Sequence, residues 1–168
     1  MIDLLLFTYF YVGWFAAIFL AKSDQPWISV SILILLPLGM TALLHFKNLL
    51  SLRLAILGVG VSTFGVLFDS LMASTGLISV HGQSSFFVPL WLVVIWLLFA
   101  FSMIGMRKRL RFSYKVAALL GAVSGPLSYK SGAYFEVLHM TSNVSLAVYS
   151  VFWFLTFPMF LYLIRRYS

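Results

Sequence analysis

Asp69 is the residue whose type and position most strongly suggest chemistry. It is the single acidic residue between Arg53 and Arg107. An ionisable side chain inside an apolar segment is costly, usually faces the interior of a helical bundle and needs a partner. At roughly 1.5 Å per residue, Asp69 lies about 24 Å along a helix that leaves Arg53, and Lys130 lies about 22 Å along one that leaves Lys115. The matching depths predict an Asp69–Lys130 pair. The alternatives are a structural ion pair, two side chains that extend separately to the interface, or a ligand or proton site.

Hydroxyl groups lie close to Lys130 in the sequence, on a segment that also contains Pro126. Proline removes one backbone donor, so it predicts a kink in this helix. A kinked helix with hydroxyls opposite an acid could line a small polar cavity, although serines also commonly bond to carbonyls of their own helix. The predicted ligand-binding residues are Asp69, Lys130, Ser124, Ser128 and Tyr129.

Glu136 and His139 have the three-residue separation that would place a carboxylate and an imidazole on one helical face. His81 is predicted on the same side of the membrane. This spacing is common by chance, and we expect neither a metal nor a cofactor. The sequence contains no cysteine, no glycine-rich phosphate loop, no nucleophile elbow and no His-Glu-x-x-His motif. An enzyme is therefore the least favoured class.

The composition is that of a membrane protein. Of 168 residues, 62% are hydrophobic and only 9% are charged, and the mean hydropathy is +1.06. A soluble domain carries about 25% charged residues, so both soluble and disordered proteins are excluded. We predict an all-α fold, a single domain over residues 1–168 with six transmembrane helices. The predicted spans are 2–21, 27–45, 54–73, 86–105, 116 to between 130 and 135, and 144–164.

The distribution of basic residues predicts the orientation. With six spans, nine Lys and Arg residues fall on one side and only Lys22 and Lys130 on the other. The positive-inside rule then places both termini in the cytoplasm of a multi-pass inner-membrane protein. The net charge of +7 is interpreted as membrane topology and contact with phospholipid headgroups, and we expect no nucleic-acid partner. The nine residues are Lys47, Arg53, Arg107, Lys108, Arg109, Arg111, Lys115, Arg165 and Arg166.

Small residues in the first span indicate close helix packing. Gly13, Ala17 and Ala21 recur every four residues, a pattern that serves either packing within the bundle or docking of a membrane-protein partner. The sixth span is rich in aromatic residues and is predicted to form a lipid-facing wall. Those residues are Tyr149, Phe152, Trp153, Phe154, Phe157 and Phe160.

Three segments resemble a known bacterial family. They are residues 89–100 (PLWLVVIWLLFA), residues 117–129 (AALLGAVSGPLSY) and the FDSL run around Asp69. With these motifs the chain resembles the inner-membrane proteins grouped as domain of unknown function 2878, over nearly its whole length. The family has no established activity, so the resemblance assigns no catalytic residue. Members are often encoded beside enzymes that modify membrane fatty acyl chains, which implies an accessory role in lipid modification or envelope stress.

Three functional hypotheses follow. The leading hypothesis is a non-catalytic membrane component that binds a lipid-like or small polar ligand near Asp69 and Lys130. The second is a substrate-binding subunit of a vitamin-type transporter, because such subunits are similarly small and dock partners through small residues on the first helix. The third is a membrane enzyme acting on lipid, with Glu136, His139 or Asp69 as acid or base.

Overall fold

The computed structural model describes residues 2–84 and 86–167. It contains six helices, as predicted, together with two three-residue strands that the sequence did not indicate. The elements in chain order are α1 (Ile2–Ala21), α2 (Pro26–Phe46), α3 (Leu52–Ser74), β1 (Ile78–Val80), α4 (Leu90–Met106), α5 (Tyr114–Tyr134), β2 (Leu138–Met140) and α6 (Asn143–Tyr167).

The apolar runs determine where the helices form, and polar residues define several of their starts. The hydroxyl of Ser51 caps α3 and that of Ser113 caps α5, each accepting a backbone N–H three residues ahead. Among the described residues, four helices, α1, α2, α3 and α6, are long and apolar enough to cross a membrane. The fourth predicted span begins later than expected, at Leu90 instead of Phe86. Pro89 accounts for a break at this point, since a proline disfavours helical geometry in the residue directly before it, here Val88, and α4 starts after Pro89.

The helix α4 forms the centre of the bundle, with α1, α2 and α3 packed around it. A Cβ atom on Gly13 would lie only 2.6 Å from Leu98 Cδ1, so this glycine allows α1 to approach α4 closely. Gly13 and Ala17 are buried and Ala21 is half-buried. The small-residue stripe of α1 therefore packs within the chain. Docking of a partner through it stays a prediction.

The helix α5 packs along α6, and this pair joins the rest of the bundle through α3 and a small antiparallel sheet. In that sheet Ile78 pairs with Met140 and Ser79 with His139. The α3–α4 and α5–α6 connections thus meet at one end of the bundle, called here the sheet end. The Glu136–His139 prediction of a shared helical face is wrong, because α5 ends at Tyr134 and His139 belongs to β2.

The opposite end, called here the basic end, collects the nine basic residues named above. Its connections are tied by short contacts: Arg109 Nε lies 3.1 Å from Asp3 Oδ2, and Arg107 donates to the Leu49 carbonyl at 2.8 Å. With Asp3 as its one acidic residue, the basic end carries a formal charge of +8. At the sheet end, the negative charges of Asp24 and Glu136 balance the positive charges of Lys22 and Lys130. The charge asymmetry predicted along the chain is therefore an asymmetry between the two ends of the bundle.

Candidate functional site

Asp69 lies at the point where four helices meet, and its carboxyl group is fully buried. Its Oδ2 atom accepts a hydrogen bond from Trp96 Nε1 at 2.7 Å. Its Oδ1 atom accepts from the hydroxyls of Tyr129 at 2.7 Å and Tyr149 at 2.8 Å. These four residues, called here the Asp69 cluster, come from α3, α4, α5 and α6 in turn. The three side chains supply the hydrogen bonds that water would give to an exposed carboxyl group. A buried acid needs such partners within the protein.

Two glycines, each one helical turn before a cluster residue, make room for the tryptophans. The indole of Trp96 lies against Gly65, four residues before Asp69, where any side chain would collide with the ring. In the same way the indole of Trp153 lies against Gly125, four residues before Tyr129. The two indoles are parallel, with centroids 5.2 Å apart, and the rings of Tyr129 and Tyr149 stack at 3.7 Å. The cluster is thus a packed aromatic assembly around one carboxyl group.

Lys130 is not the partner of Asp69. Within the described residues it makes no ion pair or hydrogen bond, and its side chain is exposed. Lys130 follows Tyr129 immediately, so its depth matches that of Asp69 while its side chain points about 100° further around the helix. The matching depths predicted the correct turn of α5. The residue of that turn that bonds to Asp69 is Tyr129.

Ser124 and Ser128 do not contact Asp69 either. Each donates to a carbonyl of its own helix, Ser124 to Leu120 at 2.7 Å and Ser128 to Gly125 at 2.7 Å. This is the alternative that the sequence left open for serines near a helical proline. Both side chains are exposed and border a cavity that Tyr129 also lines. Three of the five predicted residues therefore share one site beside the Asp69 cluster.

That cavity, called here the lateral cleft, opens sideways between α1 and α5 and has a volume of about 230 Å³. Its floor is formed by α4, and Trp153 of α6 contributes to its wall. The lining is mostly aromatic and aliphatic, and Trp96 and Tyr129 are the cluster residues that face it. The lining includes Phe10, Tyr11, Trp14, Ile18, Trp91, Ile95, Phe99, Ser124, Ser128 and Leu138.

The turn that follows α5 contacts α1 and the residue after it at the sheet end of the bundle. The ring of Phe135 makes edge-on contacts with aromatic rings of α1, at 6.4 Å from Trp14 and 6.0 Å from Phe19. Beside it, Lys22 Nζ donates to Glu136 Oε2 at 2.9 Å. The hydrogen bond and the charge of Lys22 lower the pKa of Glu136 below its ordinary value. Aromatic contacts and one ion pair thus join α1 and its following residue to the turn after α5.

Trp153 has a polar atom that its surroundings leave unpaired. Among the described residues, its Nε1 atom is buried and has no hydrogen-bond partner. An unpaired buried donor costs about 1–3 kcal/mol. The indole ring packs against Gly125 and lies parallel to Trp96. Trp153 therefore contributes through the packing of its ring.

Sequence reasoning missed Trp96 and Tyr149. The prediction that the aromatic residues of the sixth span face lipid is wrong for Tyr149, Phe152 and Phe160, which are buried. A usable signal was present, because Gly65 precedes Asp69 and Gly125 precedes Tyr129 by one helical turn each. A glycine one turn before a buried polar residue leaves space for a large ring that can reach that residue.

The described residues contain no group of three His, Asp or Glu side chains that could hold a metal. Glu136 has a positive φ of 57°, and its carboxylate accepts a hydrogen bond from Lys22. His139 pairs with Ser79 in the sheet. His81 is hydrogen-bonded through its backbone to Val137. The three residues lie around the sheet end without forming a common coordination site.

Comparison with known proteins identifies one relationship. The family model described as a protein of unknown function (DUF2878) matches residues 3–159. This match confirms the resemblance seen in the sequence, and it includes all four residues of the Asp69 cluster. No curated protein and no solved structure matches the chain.

Proposed function

The chain belongs to the DUF2878 family, a family of unknown function, and we propose that it is a non-catalytic membrane protein that holds a lipid-like ligand. The site is the lateral cleft, and the bound part of the ligand is one hydrocarbon chain. The observation that carries this proposal is a cleft with a mostly aromatic and aliphatic lining that opens between α1 and α5. A ligand would enter it from the hydrocarbon region of a bilayer.

The size and lining of the cleft support a chain in preference to a polar ligand. An apolar cavity of about 150 Å³ accommodates benzene. The 230 Å³ of the lateral cleft therefore suits a segment of an acyl or isoprenoid chain, with the rest of the lipid outside. The hydroxyl protons of the lining residues Ser124 and Ser128 already bond to helix carbonyls. The mostly aromatic and aliphatic wall therefore suits a hydrocarbon chain better than a vitamin-like polar ligand.

The Asp69 cluster supports the non-catalytic part of the proposal. A general acid or base must come within hydrogen-bonding distance of its substrate. The Asp69 carboxyl is fully buried and already accepts from three side chains of the cluster. We infer that it acts indirectly, by holding the rings of Trp96 and Tyr129 in the wall of the cleft.

The same proposal includes six membrane-spanning helices in a bacterial inner membrane, with the basic end in the cytoplasm. The charges of +8 at the basic end and zero at the sheet end support this orientation. Because the chain has no cysteine, single cysteines at Lys47 and Asp24 can be labelled separately in intact cells. A membrane-impermeant maleimide should react with the cysteine at position 24 and not at 47; the reverse pattern would refute the orientation.

The binding proposal is tested by tryptophan quenching with 9,10-dibromostearic acid in detergent micelles. Four of the five tryptophans line the lateral cleft, while Trp27 lies outside it and is 85% exposed. A Trp27→Phe background therefore removes the signal that does not come from the cleft. We expect saturable quenching, because the brominated chain occupies a limited number of sites.

The matched variants are Ser128→Phe and Ser131→Phe. Both serines donate to a carbonyl of α5, but only Ser128 borders the lateral cleft. Phenylalanine at position 128 should fill the mouth of the cleft and remove the saturable component, while position 131 should leave it unchanged. Quenching that rises without saturation, or that is equal in the two variants, would contradict the proposal.

A further inference from the structure

A second apolar surface lies at the basic end, between α5 and α6, well away from the lateral cleft. It is a groove of about 470 Å³, called here the basic-end groove. We propose that this groove binds one anionic phospholipid, with an acyl chain along the groove and the phosphate beside Lys115. The groove is lined by Tyr114, Lys115, Ala118, Leu119, Phe154, Leu155 and Pro158.

The apolar part of the groove follows from the sequence of the two helices. Ala118 is small, so α5 leaves a depression between Leu119 and the residues of α6. On the other side, Pro158 interrupts the backbone hydrogen bonding of α6, because it has no N–H to donate to the Phe154 carbonyl. Leu119 is 63% exposed, as a residue in contact with a lipid chain would be.

Two cations lie near Tyr114, one of the residues that line this groove. Lys115 is exposed and, within the described residues, forms no ion pair or hydrogen bond. Arg165 lies over the ring of Tyr114, 5.1 Å from its centroid, and donates to the carbonyl of Phe112 at 2.8 Å. The carbonyl fixes the guanidinium without neutralising it. Among the described residues, the groove thus has one unpaired cation in its lining, Lys115, and a second cation, Arg165, above the ring of its lining residue Tyr114.

The charge of the surroundings selects the headgroup. The basic end carries +8, and its single acidic residue, Asp3, is already paired with Arg109. Basic residues at a membrane surface attract anionic lipids, while a zwitterionic headgroup gains little there. We therefore infer a phospholipid with net negative charge, such as phosphatidylglycerol. This site is independent of the lateral cleft, since the two share no lining residue.

The test is native mass spectrometry of the full chain released from nanodiscs that contain equal amounts of phosphatidylglycerol and phosphatidylcholine. The wild type should retain phosphatidylglycerol preferentially. One lysine near a membrane surface corresponds to about a fivefold change in binding, so Lys115→Gln should lower the retained fraction by about that factor. Lys47→Gln is the matched control, because Lys47 is an exposed lysine of the same basic end that does not line the groove.

Two outcomes would overturn the inference. An equal loss of retained phosphatidylglycerol in Lys115→Gln and Lys47→Gln would show a general effect of charge without a defined binding site. Displacement of the bound lipid by soluble glycerol phosphate would show that the headgroup alone is recognised and that the groove holds no chain. Retention by Lys115→Arg, together with loss in Lys115→Gln, would support the site. Failure of the lateral-cleft experiment would leave these results unaffected.

Discussion

Replacing Asp69 with asparagine should destabilise the fold, because an amide cannot accept from all three donors of the cluster. If the amide oxygen keeps the two tyrosine hydroxyls, its NH₂ group faces the indole N–H of Trp96. Two buried donors then meet without an acceptor. A buried unpaired donor costs about 1–3 kcal/mol, whereas hydrogen bonds between membrane helices average about 0.6 and reach about 1.7 kcal/mol. Since Asp69 is fully buried, we expect a loss of about 2 kcal/mol in the free energy of unfolding.

A double-variant cycle isolates the contact responsible. Trp96→Phe removes the indole N–H and leaves Oδ2 of Asp69 without its donor, so this single variant should also be destabilising. In the combined variant, the asparagine NH₂ no longer faces another donor. The combined loss should therefore be smaller than the sum of the single losses by about 1 kcal/mol, within the range that contacting residues show.

The assay is equilibrium unfolding in mixed micelles of dodecyl sulfate and a mild detergent, followed by far-ultraviolet circular dichroism. Trp27→Phe is the control for losing an indole, because Trp27 is 85% exposed and outside the cluster. Additivity of Asp69→Asn and Trp96→Phe within about 0.5 kcal/mol would refute the reasoning, since independent sites add to that accuracy.

Three further predictions concern the surroundings of the cluster. Gly65→Ala should displace the indole packed on it and lower the thermal unfolding temperature by several degrees, whereas Gly60→Ala on the same helix, with no neighbour within 4 Å, should not; equal shifts would contradict this. Trp153→Phe removes part of a packed ring together with an unpaired N–H, so it should destabilise the fold less than Trp96→Phe, which also breaks a hydrogen bond to Asp69; an equal loss in the same micelle unfolding would indicate a partner for the Trp153 N–H. The Lys22–Glu136 contact should be intact above the ordinary glutamate pKa and should be lost only as the pH falls through the lowered pKa of Glu136, because Lys22 stabilises the ionised carboxylate. A ¹³C nuclear magnetic resonance titration of the Glu136 carboxyl should therefore show a midpoint that rises in Lys22→Gln, and an unmoved midpoint would be inconsistent with the pair.

The helices were predictable because each rests on a local signal. Apolar runs between basic clusters placed α1, α2 and α3 within two residues of their observed ends. The start of α4 was predicted too early, at Phe86, because Phe86 and Phe87 extend the apolar run. The helix begins only after Pro89. The sheet was missed because three-residue strands are too short to show an alternating pattern.

The partners of Asp69 were harder to predict, since depth along a helix does not fix direction around it. Adjacent residues differ by about 1.5 Å in depth but by about 100° in direction. Lys130 and Tyr129 were therefore nearly equivalent by depth, and charge favoured the lysine. The structure favours the tyrosine because its hydroxyl reaches the interior. Tyr149 could not be found by depth at all, because aromatic residues serve equally in a core and against lipid.

The late start of α4 has a consequence for how this chain meets a bilayer. With 17 residues, α4 is about 26 Å long, shorter than the roughly 30 Å of a typical hydrocarbon core. In the membrane topology proposed above, the residues just before Leu90 would need hydrogen-bond partners within the protein wherever lipid surrounds them. The chain supplies the bonds itself: Ser70 Oγ accepts the Val88 N–H at 3.1 Å, and Trp91 Nε1 donates to the His81 carbonyl at 3.1 Å. These two hydrogen bonds attach the start of the short helix α4 to α3 and to the residue that follows β1, so a bilayer around this end would meet two backbone groups that already have partners.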